Sequence, residues 1–224
     1  QKPLGIIFLG GCSDRLSGEF EKVHVPSVLI SNQAEPSVNR FLSSVSIDNF
    51  EAAYFSARHL IQNGHRKIGV IGGGMTSDLS VIRYNGFRKA MDEAGIPFDF
   101  DSAYQISKYS FDGGAEAAEI LLERNPELTA VFTMSDAMAI GACRWIQDSG
   151  RRIPDDISIV GFDGLSIAGY FCPRITTIKQ DEEQLASEGL AVLLGSIEKN
   201  SPPEHKLIPF GFVSGESVRN LNKI

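Results

Sequence analysis

Arg83, Asp163 and Asp136, with Asp48, Asn49, Ser135 and Tyr109, are the side chains best suited to chemistry, and that chemistry is recognition by hydrogen bonds. Arg83 begins a helix-period segment, where a cation opposes the helix dipole unless something holds it. That opposition favours a binding role over that of a surface arginine. Asp163 closes the apolar run Ile157–Phe162 and is read as an acceptor for ligand groups, although Asp is also a preferred helix cap. Asp136 carries the same ambiguity, and here the cap, opening a helix at Ala137, is the better assignment. Trp145, the single tryptophan, sits at core spacing on a helix and is assigned to packing.

Bond-making machinery is missing from the sequence. Gly72-Gly73-Gly74 follows a strand, but a dinucleotide loop would need glycine where Ser77 stands. A loop requiring backbone freedom explains the run better. Neither a phosphate-binding G-x-x-x-x-G-K-[ST] nor a G-x-S-x-G nucleophile elbow occurs. His24, His59, His65 and His205 show no metal-ligand spacing and are assigned to packing or solvent. No catalytic residue, cofactor or metal is expected, and the chain is read as a non-enzyme.

The elements that must position these side chains alternate. Apolar or β-branched runs at Leu4–Leu9, Val28–Ile30, Val45–Ile47, Ile68–Ile71, Ala103–Ile106, Ala130–Met134, Ile157–Phe162 and Thr176–Ile178 read as strands buried on both faces. Helices fall between them. Asp48 with Glu51 opens one that Asn63-Gly64 ends, and Gly95 with Pro97, Asn125-Pro126 and Ser149-Gly150 end the next. A last helix carries Leu185, Gly189, Val192, Leu193 and Ile197. Strand–helix alternation predicts an α/β fold of parallel sheets flanked by helices. In such sheets ligands bind beyond the carboxyl ends of the strands. The residues there are Gly10 to Ser13, Asp48 with Asn49, Gly72 to Gly74, Ser107 to Tyr109, Ser135 with Asp136, and Asp163. They suit a hydroxyl- or amide-rich small molecule.

Bulk properties agree. The 224 residues carry a net charge of −7, which repels phosphate backbones. The pairs and triplets such as His65-Arg66-Lys67 and Arg151-Arg152 are too short to reverse that. No apolar run approaches the roughly 20 residues of a membrane span, and no signal-peptide pattern precedes Leu4. Cys12, Cys143 and Cys172 read as free thiols of a reducing cytoplasm.

Several stretches resemble the lactose/galactose-repressor family of transcription regulators. They are Val45-Ser46-Ile47-Asp48-Asn49 followed by His59–Ile68, Arg83-Tyr84-Asn85-Gly86-Phe87, Thr129–Ala142, Arg152–Asp163 and Pro173–Gln180, in the family's order. The resemblance implies a two-lobed periplasmic-binding-protein-like fold crossed three times between lobes. One lobe would be 1–62 plus 181–209, the other 63–180 plus 210–224. It also implies that the first lobe is incomplete, and that the family's helix-turn-helix is absent from this chain.

By the same resemblance, Arg83 clamps hydroxyls or a carboxylate with its planar fork. Asp163 accepts from hydroxyls or an amine. Asp48 and Asn49 face the ligand from the first lobe, Ser135 stands where the family often has Asn, Tyr109 forms an aromatic wall, and Gln180 lies at the last hinge. The expected function is the effector-binding part of a cytoplasmic, homodimeric DNA-binding regulator that senses a sugar-like molecule. It would touch operator DNA only through the absent helix-turn-helix, and no membrane. A periplasmic sugar-binding transport receptor is the alternative.

Overall fold

The computed structural model describes residues 3–10, 22–34 and 39–223. Cys12 and the tip residues 11–13 lie outside them. The elements run β1 Ile6–Leu9, β2 Ser27–Ile30, β3 Leu42–Ile47, α1 Asn49–Gln62, β4 Ile68–Gly72, α2 Asp78–Glu93, α3 Phe100–Ala103 and β5 Tyr104–Ile106. They continue with α4 Phe111–Arg124, β6 Ala130–Thr133, α5 Asp136–Asp148, β7 Ser158–Asp163, α6 Ser166–Tyr170, β8 Thr176–Lys179, α7 Glu182–Glu198, β9 His205–Ile208 and β10 Gly211–Val213.

The chain divides into two compact units. The first comprises 1–49, 76–81 and 180–210. Its sheet has the order β1-β2-β3-β9, every neighbouring pair parallel. β2 and β3 are buried throughout, as their apolar and small residues require. The long helix α7 packs on these two strands. Gly189 makes that approach possible, because a Cβ there would lie 2.6 Å from Ile30 Cδ1.

The second unit comprises 50–75, 82–179 and 211–224, with sheet order β10-β8-β7-β6-β4-β5. All pairs are parallel except β10 with β8. Its core centres on Phe87, Phe132 and Phe162, each fully buried. The rings of Phe87 and Phe132 stack at 5.9 Å. Helices α4 and α5 cross at contact distance. A Cβ on Gly114 would meet Met138 O at 2.2 Å, and one on Gly141 would meet Phe111 O at 1.9 Å.

The first passage between units falls after Asn49, where it was expected after Gln62. Most of α1 belongs to the second unit because its apolar and aromatic residues pack there. Phe55 and His59 meet the Phe212 ring at 5.1 and 4.8 Å, and the Phe50 carbonyl lies against Gly86 of α2. The segment 76–81 also groups with the first unit, which the sequence reading did not anticipate.

Candidate functional site

The site is built where β4, β6 and β7, adjacent parallel strands of the second unit, end. β4 ends at Gly72, β6 at Thr133 and β7 at Asp163. Thr133 Oγ1 lies 3.1 Å from both Ser135 O and Val160 O, which ties the end of β6 to β7.

Arg83 reaches these tips from α2. That helix starts at Asp78, so Arg83 lies in its second turn and the expected placement at the helix start is corrected. The dipole argument therefore does not account for the residue; burial does. Arg83 is 2 % exposed, and its guanidinium meets a carbonyl, a ring and a carboxylate. Nη1 donates to Met134 O, the Phe162 ring lies under Cζ at 3.7 Å, and Nη2 is 4.0 Å from Asp163 Oδ1. Burial lowers its pKa, while Asp163 and Tyr109 oppose that shift. A guanidinium so far above neutrality stays charged, so the site holds a fixed cation.

Asp163 is not a helix cap: α6 begins at Ser166, with Leu165 at the cap position. Its backbone instead has φ 118°, a strained conformation for a non-glycine residue, followed by Gly164 at φ 74°. Such strain is tolerated where the surroundings determine the geometry, and it is common in ligand sites.

Ser135, not Asp136, caps α5, its hydroxyl accepting from Met138 N at 3.1 Å. The assignment of Asp136 as a cap is thereby corrected. Its carboxylate is fully buried and accepts from Thr177 Oγ1 at 2.6 Å and from Leu165 N at 2.7 Å.

Tyr109 is 44 % exposed with its hydroxyl 4.0 Å from Met134 Sδ, a half-open aromatic face beside the tips. Tyr104 is buried, donates to Gly73 O at 2.6 Å, and has a pKa raised chiefly by desolvation. Gly72 is glycine for space rather than for backbone freedom. A Cβ there would lie 2.3 Å from Tyr104 Oη and 2.6 Å from Met134 Sδ.

Arg83, Tyr109, Ser135 and Asp163 thus come together in the second unit. Asp48, Asn49 and Gln180 belong to the first. Asn49 is buried, its Nδ2 donating to Ser46 Oγ at 3.0 Å and to Ile47 O at 3.2 Å, which fixes the start of α1 to the end of β3. Asp48 is half-buried and Gln180 is 9 % exposed. Sequence reasoning missed Phe162, Met134 and Tyr104. Phe162 was visible as the aromatic residue preceding Asp163, whereas a backbone carbonyl such as Met134 O leaves no signal in residue type.

Recognition is what this arrangement can perform. A planar five-donor cation stands beside a carboxylate, next to an aromatic wall. Cys143 is buried, and its thiol pKa is pushed up to about 12, so it is inert as a nucleophile. Among the described residues no cluster of His, Cys, Asp or Glu is placed to hold a metal, and no helix is long and apolar enough to cross a membrane.

Residues 57–218 match the model of the periplasmic binding protein-like domain. The chain is 34% identical over 221 residues to the HTH-type transcriptional regulator MalR of Clostridium butyricum, covering 97% of this chain and 65% of that protein. It is 35% identical over 208 residues to the HTH-type transcriptional repressor PurR of Actinobacillus pleuropneumoniae, covering 91% and 60%. The chain therefore spans about three fifths to two thirds of the length of these relatives. Among solved structures, that of the transcriptional regulator CelR with cellobiose superposes with a TM-score of 0.87 at 30% identity, over 97% of this chain and 66% of that one.

Proposed function

This chain belongs to the periplasmic binding protein-like domain family, in the LacI-type form found in transcription regulators, and from that premise we propose that it senses a sugar-like effector through Arg83 and Asp163. The observation that carries the reading is the buried Arg83 fork held 4.0 Å from Asp163 at the carboxyl ends of parallel strands. A ligand hydroxyl accepts from the guanidinium and donates to the carboxylate, satisfying both charges at once. Tyr109 offers a face to the apolar side of a sugar ring, and the Ser135 hydroxyl adds a donor. Asp48, Asn49 and Gln180 are proposed as further ligand residues carried by the first unit.

Regulation follows if the effector binds one conformation of the chain more tightly than another. The net charge of −7 supports assigning DNA contact to a helix-turn-helix outside residues 1–224. Relatives named as transcriptional regulators support the same assignment and favour regulation over transport. Action in the cytoplasm, as a homodimer and without catalysis, completes the proposal; sedimentation equilibrium of the purified chain tests the dimer.

Calorimetric titration with cellobiose and a panel of mono- and disaccharides tests the site. The expected result is saturable binding of at least one sugar that Arg83→Ala abolishes while the far-ultraviolet dichroism is retained. Equal affinity in the variant would remove Arg83 from the site.

A further inference from the structure

Asp136 is a buried carboxylate to which ligand contact assigns no task. It is fully buried at the first turn of α5, yet the capping role there belongs to Ser135. Its two oxygens are directed elsewhere. Oδ1 accepts from the hydroxyl of Thr177 on β8 at 2.6 Å, and Oδ2 accepts from the backbone of Leu165 at 2.7 Å. Leu165 follows Asp163 by two residues, with Gly164 between them.

The strand beside it is shaped to admit this group. Gly161 lies in the middle of β7, where a Cβ would sit 2.3 Å from Asp136 Oδ1. A glycine inside a buried strand weakens it, so its presence here marks a close approach. Asp163 meanwhile holds φ 118° and Gly164 φ 74°, a turn that its own torsional preferences oppose. A charged acceptor anchored on α5 and β8 is what fixes the backbone immediately after the strained residue.

We infer that Asp136 is a positioning residue for the ligand site: its carboxylate clamps the Gly164–Leu165 backbone and so fixes the turn that aims Asp163 at the ligand. This rests on the reading of Asp163 as a ligand residue, but the clamp itself is observable without any ligand. The charged groups around the turn are Asp163 on β7, Lys179 paired with it on β8, and Arg83 on α2. Desolvation raises the Asp136 pKa to about 6. The Thr177 and Leu165 hydrogen bonds pull it down, and the charge of Asp163 pushes it up.

Nuclear magnetic resonance of the whole chain tests the clamp. The Leu165 amide proton should titrate with the same midpoint as the Asp136 carboxyl carbon, and Asp163→Asn should lower that midpoint. In Asp136→Ala, amide exchange at Leu165 should accelerate roughly tenfold or more, the worth of a charged hydrogen bond, relative to Ile159 and Val160. Asp136→Asn should restore slow exchange, because its amide oxygen accepts from Leu165 and its NH2 donates to Thr177, while the pH step disappears.

If Asp136→Ala does not fold, Thr177→Val, which should raise the Asp136 midpoint, and the titration of the native chain decide. A Leu165 amide indifferent to Asp136 ionisation overturns the inference. So does acceleration in Asp136→Ala that is equal at Leu165, Ile159 and Val160. Cellobiose binding is followed in parallel: its absence in the native chain speaks against that ligand and leaves the clamp readouts intact.

Discussion

The Arg83 guanidinium carbon lies 3.7 Å from the centre of the Phe162 ring, so this buried cation at the strand tips rests on an aromatic face inside the protein. Desolvation strengthens such a contact. Phe162 thereby recovers part of the cost of burying the charge and sets the plane in which the fork presents its donors.

A double-mutant cycle measures that relationship. Arg83→Met and Phe162→Leu remove one partner each with little change in volume. Their coupling in urea unfolding should be about 1–2 kcal/mol. A coupling within error of zero would mean that the ring only fills space and that polar partners such as Asp163 and Met134 O hold the arginine.

The proposed ligand role of Asp163 sets affinity against stability. At φ 118° any side chain is strained, so Asp163→Gly should be more stable than Asp163→Ala by about 1–2 kcal/mol. Both should weaken any sugar binding that the native chain shows by about 1–3 kcal/mol, the usual cost of losing a charged hydrogen bond. Thermal melts and calorimetry on the pair check the two halves separately. Equal stability of the glycine and alanine variants would show that the turn carries no strain.

Much of the second unit was legible in the sequence because its strands are continuous apolar runs ended by small or polar residues. β4, β6, β7 and β8 fall within a few residues of expectation for that reason. The edge strands β1 and β5 fall within expected runs, but the other two edges were not legible. β9 reads His-Lys-Leu-Ile with alternating exposure, and β10 is three residues long, so neither offers an apolar run. The short helices α3 and α6 lack the length to show a period. Of the candidate site, Arg83, Ser135 and Asp163 were legible as residue types within family-like stretches, and Tyr109 as an aromatic residue at a strand tip. Their support was hidden: Phe162 as packing, Met134 as a carbonyl, Asp136 as a presumed cap. Sequence separations of 29 and 41 residues between Asp136 and its partners put that clamp beyond local pattern.

Two glycine-to-alanine changes should move stability in opposite directions. A Cβ at Gly141 would lie 1.9 Å from Phe111 O, backbone that cannot yield without separating α4 from α5. Gly141→Ala should therefore cost about 3 kcal/mol, at the upper end of overpacking effects. Gly195, in α7, has open space around its Cβ position. Gly195→Ala should add about 0.5–1 kcal/mol through helix propensity. Urea midpoints decide both; a tolerated Gly141→Ala would mean that the helix crossing has slack.

Asp136 should also leave a signature in the pH dependence of folding. Its folded pKa of about 6 exceeds the ordinary 3.8, so between those values the native state binds a proton that the unfolded chain has released. Stability from this group is greatest below about pH 4, falls as pH rises toward 6, and is flat above. The fall is on the order of 3 kcal/mol for two pKa units. His59 and His65 work in the opposite sense. Burial lowers their pKa values, so they contribute stability at higher pH that is lost as pH falls below the ordinary histidine value of 6.5. The native profile is therefore a sum of opposed slopes, and the difference between native and Asp136→Asn isolates the carboxylate. Urea unfolding from pH 4 to 7 should show native stability declining relative to the variant across pH 4–6 and running parallel to it above. A difference that does not change with pH would mean that Asp136 titrates as an ordinary surface carboxylate, despite its burial beneath the turn that carries Asp163.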